Sequence, residues 1–161
     1  MLRSRPQLLF LGLFRLRKRS LAEQKLLIEA TLWLGLARCC VRTIPFRWTT
    51  RLFALAPGEG AATADGSSRE FASRIGWAVR AAAARTPWGS RCLAQALAGS
   101  GMLRARRIPA TMAMGVAKTE PAGLEAHAWL SCGGRILTGA SGHERYRVVA
   151  RFTPVLARRE A

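Results

Sequence analysis

Acidic residues are scarce in this chain of 161 residues, where 9 Asp and Glu stand against 26 Lys and Arg and give a formal net charge of +17. An excess of this size first raises the question of nucleic-acid binding. Nearly all of the positive charge is arginine spread along helix-like segments, and no zinc-finger spacing or aromatic RNA-binding motif accompanies it. We therefore expect no nucleic-acid partner, and expect the charge to favour an acidic protein or peptide or anionic lipid headgroups.

Cysteine and histidine are also few, with four cysteines, two histidines and no C-x-x-C pair. This pattern predicts no metal site and no cofactor. The adjacent Cys39 and Cys40 cannot easily bridge each other, so we do not expect a disulfide framework either. Such cysteine usage is typical of a reducing cytoplasm.

The chain lacks a long uninterrupted hydrophobic run. Residues 8–14 (LLFLGLF) are followed by RLRKRS and not by a small-residue cleavage site, so secretion is not expected. Residues 26–41 contain Glu29 and Arg38 and fall short of the roughly 20 residues that a spanning helix needs. We predict a cytoplasmic protein whose basic N-terminus leaves peripheral membrane contact open.

Half of the residues are hydrophobic, which favours one folded core over disorder. Ser20 and Glu23 form an S-x-x-E capping pattern that predicts a helix over 21–42, ending before Pro45. The small, polar run PGEGAATADGSS then indicates a linker. We accordingly divide the chain into a helical region (1–56), a linker (57–68) and a catalytic core (69–161).

The core is predicted to begin with a helix capped by Ser67 and Glu70. After Thr86 and Pro87, Ser90 is expected to cap a second helix that opens with Arg91 and Cys92. Strands are predicted at 110–117, 126–132 and 135–138, the last two joined by the turn Gly133-Gly134. Helices followed by an antiparallel sheet make the fold class α+β.

Cys92 is the best candidate nucleophile in this scheme. A thiol reacts as its thiolate, and the free N–H groups and macrodipole of a first helical turn favour negative charge. A cysteine on a helix is nevertheless more often a small core residue.

The matching base would be His127 or His143. His127 lies in a predicted strand, on the face opposite Ala126 and Ala128 and on the same face as Trp129. A strand histidine facing a helix N-terminus is a usual way to pair Cys with His. A hydrogen-bonded structural histidine is an equally good interpretation of His127, and His143 is expected to be a loop residue.

Several runs resemble the transglutaminase-like, papain-like peptidases that remove the leader from lasso-peptide precursors. They are PWGSRCLAQAL, RRIPA, MGV, HAW and GRIL, with RTIPFRW upstream. The resemblance implies hydrolysis of one peptide bond through a thioester on Cys92, with His127 as general base. It also implies two partners besides the precursor peptide, namely a leader-binding winged-helix protein and an ATP-dependent lasso cyclase. The N-terminal half is predicted to be helical, without the strands that a winged-helix domain needs. We therefore expect the leader-binding protein to be separate.

The resemblance also implies a third residue, an aspartate about twelve residues after His127, where this chain has Gly139. Glu144, Ser141 or a backbone carbonyl are the alternatives for orienting the imidazole, with Glu144 as the candidate side chain. If none of them acts, Gly139→Asp should raise activity by holding Nδ1–H and leaving Nε2 toward the thiol.

Two other functions use the same cleft. One is a catalytically weak scaffold that binds the precursor, and the other is an acyl transferase with the same Cys–His pair.

Overall fold

The computed structural model describes residues 20–58, 63–87, 89, 91–121 and 123–156. Its helices are α1 (Leu21–Thr43), α2 (Phe46–Leu52), α3 (Gly66–Ala83) and α4 (Cys92–Ala105). Its strands are β1 (Leu55–Pro57), β2 (Thr111–Thr119), β3 (Gly123–Cys132), β4 (Arg135–Thr138) and β5 (Arg147–Pro154), with a 3₁₀ turn at His143–Arg145.

Helix α1 begins as predicted. The Ser20 hydroxyl accepts a hydrogen bond from the Glu23 backbone N–H, and the Glu23 carboxylate accepts one from the Ser20 N–H, so both halves of the capping box form. The helix ends one residue before Ile44, which is extended because Pro45 follows it. The predicted helix over 21–42 is confirmed to within one residue.

The start of α3 differs from the predicted one. Asp65 is the N-cap, and its carboxylate accepts from the Ser68 N–H at 2.7 Å and from the Ser67 hydroxyl at 2.9 Å. These bonds, the Ser68 bond foremost, lower the pKa of Asp65. Ser67 therefore does not cap α3, and the segment between β1 and α3 is shorter than the predicted linker 57–68.

The strands form one five-stranded sheet in the order β1-β5-β2-β3-β4, and the paired strands are antiparallel. The predicted β3–β4 hairpin is confirmed. Gly133 and Gly134 both have positive φ (53° and 81°), as a type I′ turn requires. The mixed helix and antiparallel-sheet class is thus correct, while β1, β5 and α2 were not predicted.

The helices pack on one face of this sheet. Ala128 and Leu130 of β3 belong to the main hydrophobic core together with Leu34 of α1, Ile75 of α3 and Leu97 of α4. One core therefore takes residues from both sides of the predicted linker.

The other face of the sheet carries a second, smaller cluster. It consists of Ala113, Trp129 and Tyr146, with Val148 packed against it. Since neighbouring residues of a strand point to opposite faces, Trp129 and His127 share this outer face.

An ion pair connects α1 to the end of α4. The Arg106 guanidinium donates to both carboxylate oxygens of Glu29 on α1, at 2.8 and 2.6 Å. The Glu29 hydrogen bond raises the pKa of Arg106. No helix in the described part of the chain is long and apolar enough to cross a membrane.

The contact between α3 and β4 depends on the absence of a side chain at Gly76. A Cβ there would lie 2.9 Å from both the Cβ and the carbonyl oxygen of Leu137. We expect Gly76→Ala to lower the free energy of unfolding by about 1–3 kcal/mol, measured by urea denaturation. Gly35 of α1 is the matched control, because a Cβ there meets nothing within 4 Å, and Gly35→Ala should stabilise by about 0.5–1 kcal/mol. Equal midpoints for the two variants would contradict the packing argument.

Candidate active site

Cys92 is the first residue of α4, with Arg91 as the N-cap. Helical bonding starts with the Gln95 N–H, which donates to the Arg91 carbonyl at 3.1 Å. The N–H groups of Cys92, Leu93 and Ala94 thus precede the first turn of bonds, and such groups favour an anion. The structure confirms the predicted helix start to within one residue, whereas the predicted cap, Ser90, lies outside the described residues.

The other three cysteines lie in different surroundings. Cys40 and Cys132 are each only 3% exposed, and burial raises the pKa of both thiols. At Cys132 the positive charge of Arg69 opposes this rise. Cys39 is exposed on α1, and Cys92 is partly buried at the helix start. Of the four, only Cys92 combines partial access with a helix N-terminus.

His127 lies on the outer face of β3, against aromatic side chains. Its ring stacks on Tyr146 with a centroid distance of 4.9 Å and on Trp129 at 6.0 Å. Gly115 lies directly across the ladder from His127, and a Cβ there would come within 2.8 Å of the Tyr146 Cβ. The glycine thus makes room for Tyr146 beside the imidazole.

The hydrogen bond of His127 goes to Gly139. The imidazole Nε2 lies 2.9 Å from the Gly139 carbonyl oxygen. A carbonyl only accepts, so Nε2 must carry the proton and Nδ1 keeps the lone pair. We expected position 139 to face Nδ1, and the structure reverses the two nitrogens.

Gly139 can approach β3 because it has no side chain. Its φ is +73°, and a Cβ at this position would collide with the Ala128 carbonyl oxygen and lie 3.0 Å from the Trp129 Cα. An aspartate would strain the backbone here, so the geometry does not favour the gain in activity expected for Gly139→Asp, which stays a prediction. Position 139 contacts His127 through its backbone carbonyl.

Glu144, the predicted orienting side chain, lies in the 3₁₀ turn beside His143. Its carboxylate is 3.1 Å from the His143 Nδ1, and its side chain is 73% exposed. His143 Nδ1 is also 2.8 Å from the Ala140 carbonyl oxygen. Within the described residues, neither Glu144 nor Ser141 hydrogen-bonds His127, whose bond goes to the backbone of Gly139.

Sequence reasoning did not identify the contacts that hold Tyr146 beside the His127 ring. Arg145 donates to the Glu125 carboxylate and to the Tyr146 hydroxyl, both at 2.8 Å, and its guanidinium lies 5.0 Å from the Tyr146 ring centroid. The Tyr146 bond raises the pKa of Arg145. In the sequence, Arg145 and Tyr146 lie in the run Glu144-Arg145-Tyr146. This run matches no recognisable motif, so the sequence does not indicate these contacts.

The structure does not join Cys92 to His127 directly. Among the described residues, no hydrogen bond links the two side chains. Cys92 packs against the helix-facing core, whereas the His127 ring contacts Trp129 and Tyr146 of the outer cluster. Trp88, which belongs to the run PWGSRCLAQAL, lies outside the described part of the chain.

Two surface grooves lie away from these residues. One of about 720 Å³ is formed by the start of α3 and the β3–β4 turn, and one of about 540 Å³ runs along β5 beside Gly58. Neither groove is lined by Cys92 or His127.

We expect Gly139→Ala to displace the chain that carries the His127 hydrogen bond. The positive φ should cost about 1–2 kcal/mol, and the collision with β3 roughly 1–3 kcal/mol more, measured by urea unfolding. Gly134→Ala is the matched control, because its φ is +81° but a Cβ there meets nothing within 4 Å. An equal loss for the two variants would mean that close approach at Gly139 is unimportant.

A family model described as the transglutaminase-like superfamily matches residues 40–151. This match covers more than half of the chain and includes Cys92, His127 and Gly139. Searches of the curated proteins and of the solved structures found no match for the chain. The superfamily commonly includes cysteine peptidases and acyltransferases. On the family match, together with the helices and antiparallel sheet described above, the chain belongs to the transglutaminase-like superfamily.

Proposed function

We propose that this protein is a cysteine peptidase that cleaves the leader from a lasso-peptide precursor, with Cys92 as nucleophile and His127 as general base. The observation that carries the proposal is the bond between His127 Nε2 and the Gly139 carbonyl. It leaves Nδ1 as a base in a chain whose superfamily includes cysteine peptidases. Cys92 at the start of α4 supplies the thiol.

The proposed reaction begins when His127 Nδ1 takes the proton from the Cys92 thiol. The thiolate attacks the scissile carbonyl, the C–N bond breaks, and the imidazolium gives its proton to the departing amine. Water, deprotonated by His127, then hydrolyses the thioester and returns the thiol. This sequence requires the Cys92 thiol to reach Nδ1, which is the ring nitrogen that the Gly139 bond leaves free.

The oxyanion that forms in each step needs hydrogen-bond donors near Cys92. The backbone N–H of Cys92 itself precedes the first helical bond of α4, so it is available for this role. The Gly139 carbonyl holds the imidazole in one tautomer but, being neutral, stabilises the imidazolium less than a carboxylate would. We therefore propose a Cys–His pair with a backbone orienter.

The proposed substrate and partners follow from the resemblance of PWGSRCLAQAL, RRIPA and HAW to the lasso-peptide leader peptidases. The precursor would be presented by a separate winged-helix leader-binding protein, which raises kcat/KM by positioning the scissile bond. The freed core peptide would pass to an ATP-dependent lasso cyclase. The net charge of +17 favours an acidic peptide segment as the region recognised.

A precursor-binding scaffold is the second candidate. The observation in its favour is that no hydrogen bond joins Cys92 to His127 within the described residues. A scaffold would bind the precursor without breaking a peptide bond. An acyl transferase would use the same pair and yield a new amide in place of a free carboxylate, so the mass of the product separates the three functions.

We expect Cys92→Ala to abolish cleavage of the precursor, by a factor of about 10³ or more, because the nucleophile is lost. The assay follows precursor and products by mass spectrometry in the presence of the leader-binding protein. Cys39→Ala is the matched control, since Cys39 is an exposed cysteine away from the site, and it should keep wild-type activity. Cleavage by Cys92→Ala at the wild-type rate would exclude Cys92 as nucleophile. If the wild-type protein itself binds the precursor but does not cleave it, the scaffold function is favoured.

We expect Glu144→Gln to retain at least about half of the wild-type single-turnover rate, because its carboxylate is exposed and lies against His143. His127→Gln in the same assay should lose about 10²-fold or more, as expected for a general base. Circular dichroism should first show that both variants are folded. A large loss for Glu144→Gln would return the orienting role to that side chain.

A further inference from the structure

Helix α1 is apolar on two opposite sides. Its inner side is buried in the core through Leu26, Leu27, Ala30, Leu34 and Ala37. Its opposite side carries the outer stripe, defined as Leu21, Ile28, Leu32 and Leu36, which are 76, 61, 70 and 45% exposed. Spacings of seven, four and four residues place these side chains in one line along the helix. An apolar stripe along a helix normally faces a packing partner.

Exposed apolar side chains elsewhere in the described part of the chain are fewer and scattered. Of the ten large hydrophobic residues that are exposed there, seven belong to α1 and α2, and the three of α2 are Phe46, Trp48 and Leu52. The remaining three are Leu124, Val149 and Val155. Concentrated exposure of this kind marks a surface that binds a partner.

Cationic side chains accompany the exposed apolar residues of both helices. Lys25 is exposed and falls within the line of the outer stripe, one turn after Leu21. On α2, the guanidinium groups of Arg47 and Arg51 lie 6.0 and 4.8 Å from the Trp48 ring centroid. In the sequence, the basic run RLRKR occupies residues 15–19, directly before the capping residue of α1.

The acidic groups of α1 are already engaged. Glu23 accepts from the Ser20 N–H in the capping box, and Glu29 is held by Arg106. The surface around the outer stripe is therefore apolar and cationic in character. Its complement is an apolar phase bordered by anions.

An anionic lipid surface fits this description better than a second copy of the chain. A second copy brings the same charge of +17, and like charge opposes association. Lipids offer acyl chains to the outer stripe, an interfacial region to Trp48, and headgroup phosphates to Lys25, Arg47 and Arg51. The stripe from Leu21 to Leu36 extends over about 23 Å of helix, a length suited to lying in the membrane plane.

We propose that α1 and α2 dock this protein on an anionic membrane surface, with the outer stripe inserted between headgroups and acyl chains. The proposal is independent of the peptidase assignment.

Co-sedimentation of the full chain with vesicles tests the proposal. We expect binding to vesicles of phosphatidylcholine with phosphatidylglycerol, little binding to phosphatidylcholine alone, and weaker binding as salt rises. The double variant Ile28→Gln/Leu32→Gln should bind at least about tenfold more weakly, because two inserted side chains become polar. Both residues are exposed, so the variant should fold, as circular dichroism would verify.

Leu124→Gln is the matched control, since Leu124 is 77% exposed but lies on β3, and it should bind like the wild type. Lack of binding to the anionic vesicles would overturn the proposal, and so would binding that the double variant leaves unchanged. A micromolar dimer in sedimentation velocity that the double variant abolishes would assign the outer stripe to a second copy and overturn it as well.

Discussion

The hydrogen bond from His127 Nε2 to the Gly139 carbonyl is the constraint around which the candidate site is arranged. It requires the backbone at position 139 to lie against β3 more closely than any side chain would allow. It fixes which imidazole nitrogen carries the proton, and therefore which one is left as a base. The ring also stacks on Tyr146, whose hydroxyl accepts from Arg145, and this contact limits the rotation of the imidazole. Orientation of the histidine is thus distributed over a backbone group and an aromatic neighbour.

The two faces of the sheet have different roles. Its inner face packs against the helices and supplies the stability of the fold, because α1, α3 and α4 share one core with β3. Its outer face carries a small aromatic cluster in the described part of the chain, and this is where the His127 ring lies. Cys92 reaches the sheet from the helical side, at the N-terminal end of α4. In the proposed peptidase, the two reacting groups therefore come from different layers of the structure, the thiol from the start of α4 and the imidazole from the outer face of β3.

The elements that sequence reasoning predicted well are those specified by local chemistry. Ser20 with Glu23, Pro45, and the pair Gly133-Gly134 each act within a few residues, so their patterns fixed the ends of α1 and the β3–β4 turn. The same reasoning gave the wrong cap for α3. Several neighbouring residues can cap a helix there, and the N-cap is Asp65 instead of Ser67.

Long-range contacts could not be predicted from the sequence. Neither the pairing of β5 with β2 nor the position of the Gly139 carbonyl beside His127 has a local signature. A glycine in place of an expected aspartate looked like a loss, because the pattern of side chains does not reveal the path of the backbone. The outer stripe of α1 was not predicted either. Both sides of this helix carry leucines, and these differ only in the side of the helix on which they lie.

A backbone carbonyl as orienter also changes how such a site responds to acid and to mutation. An aspartate in this place would itself become protonated at low pH and release the imidazole, whereas a peptide carbonyl has no proton to gain in that range. Acid inactivation would then reflect only the reacting thiol and imidazole and the stability of the fold. No substitution can delete the carbonyl, because every amino acid contributes one. A substitution at position 139 can therefore affect this bond only by changing the path of the chain, and a search for an acidic side chain would not detect a backbone group that orients the histidine.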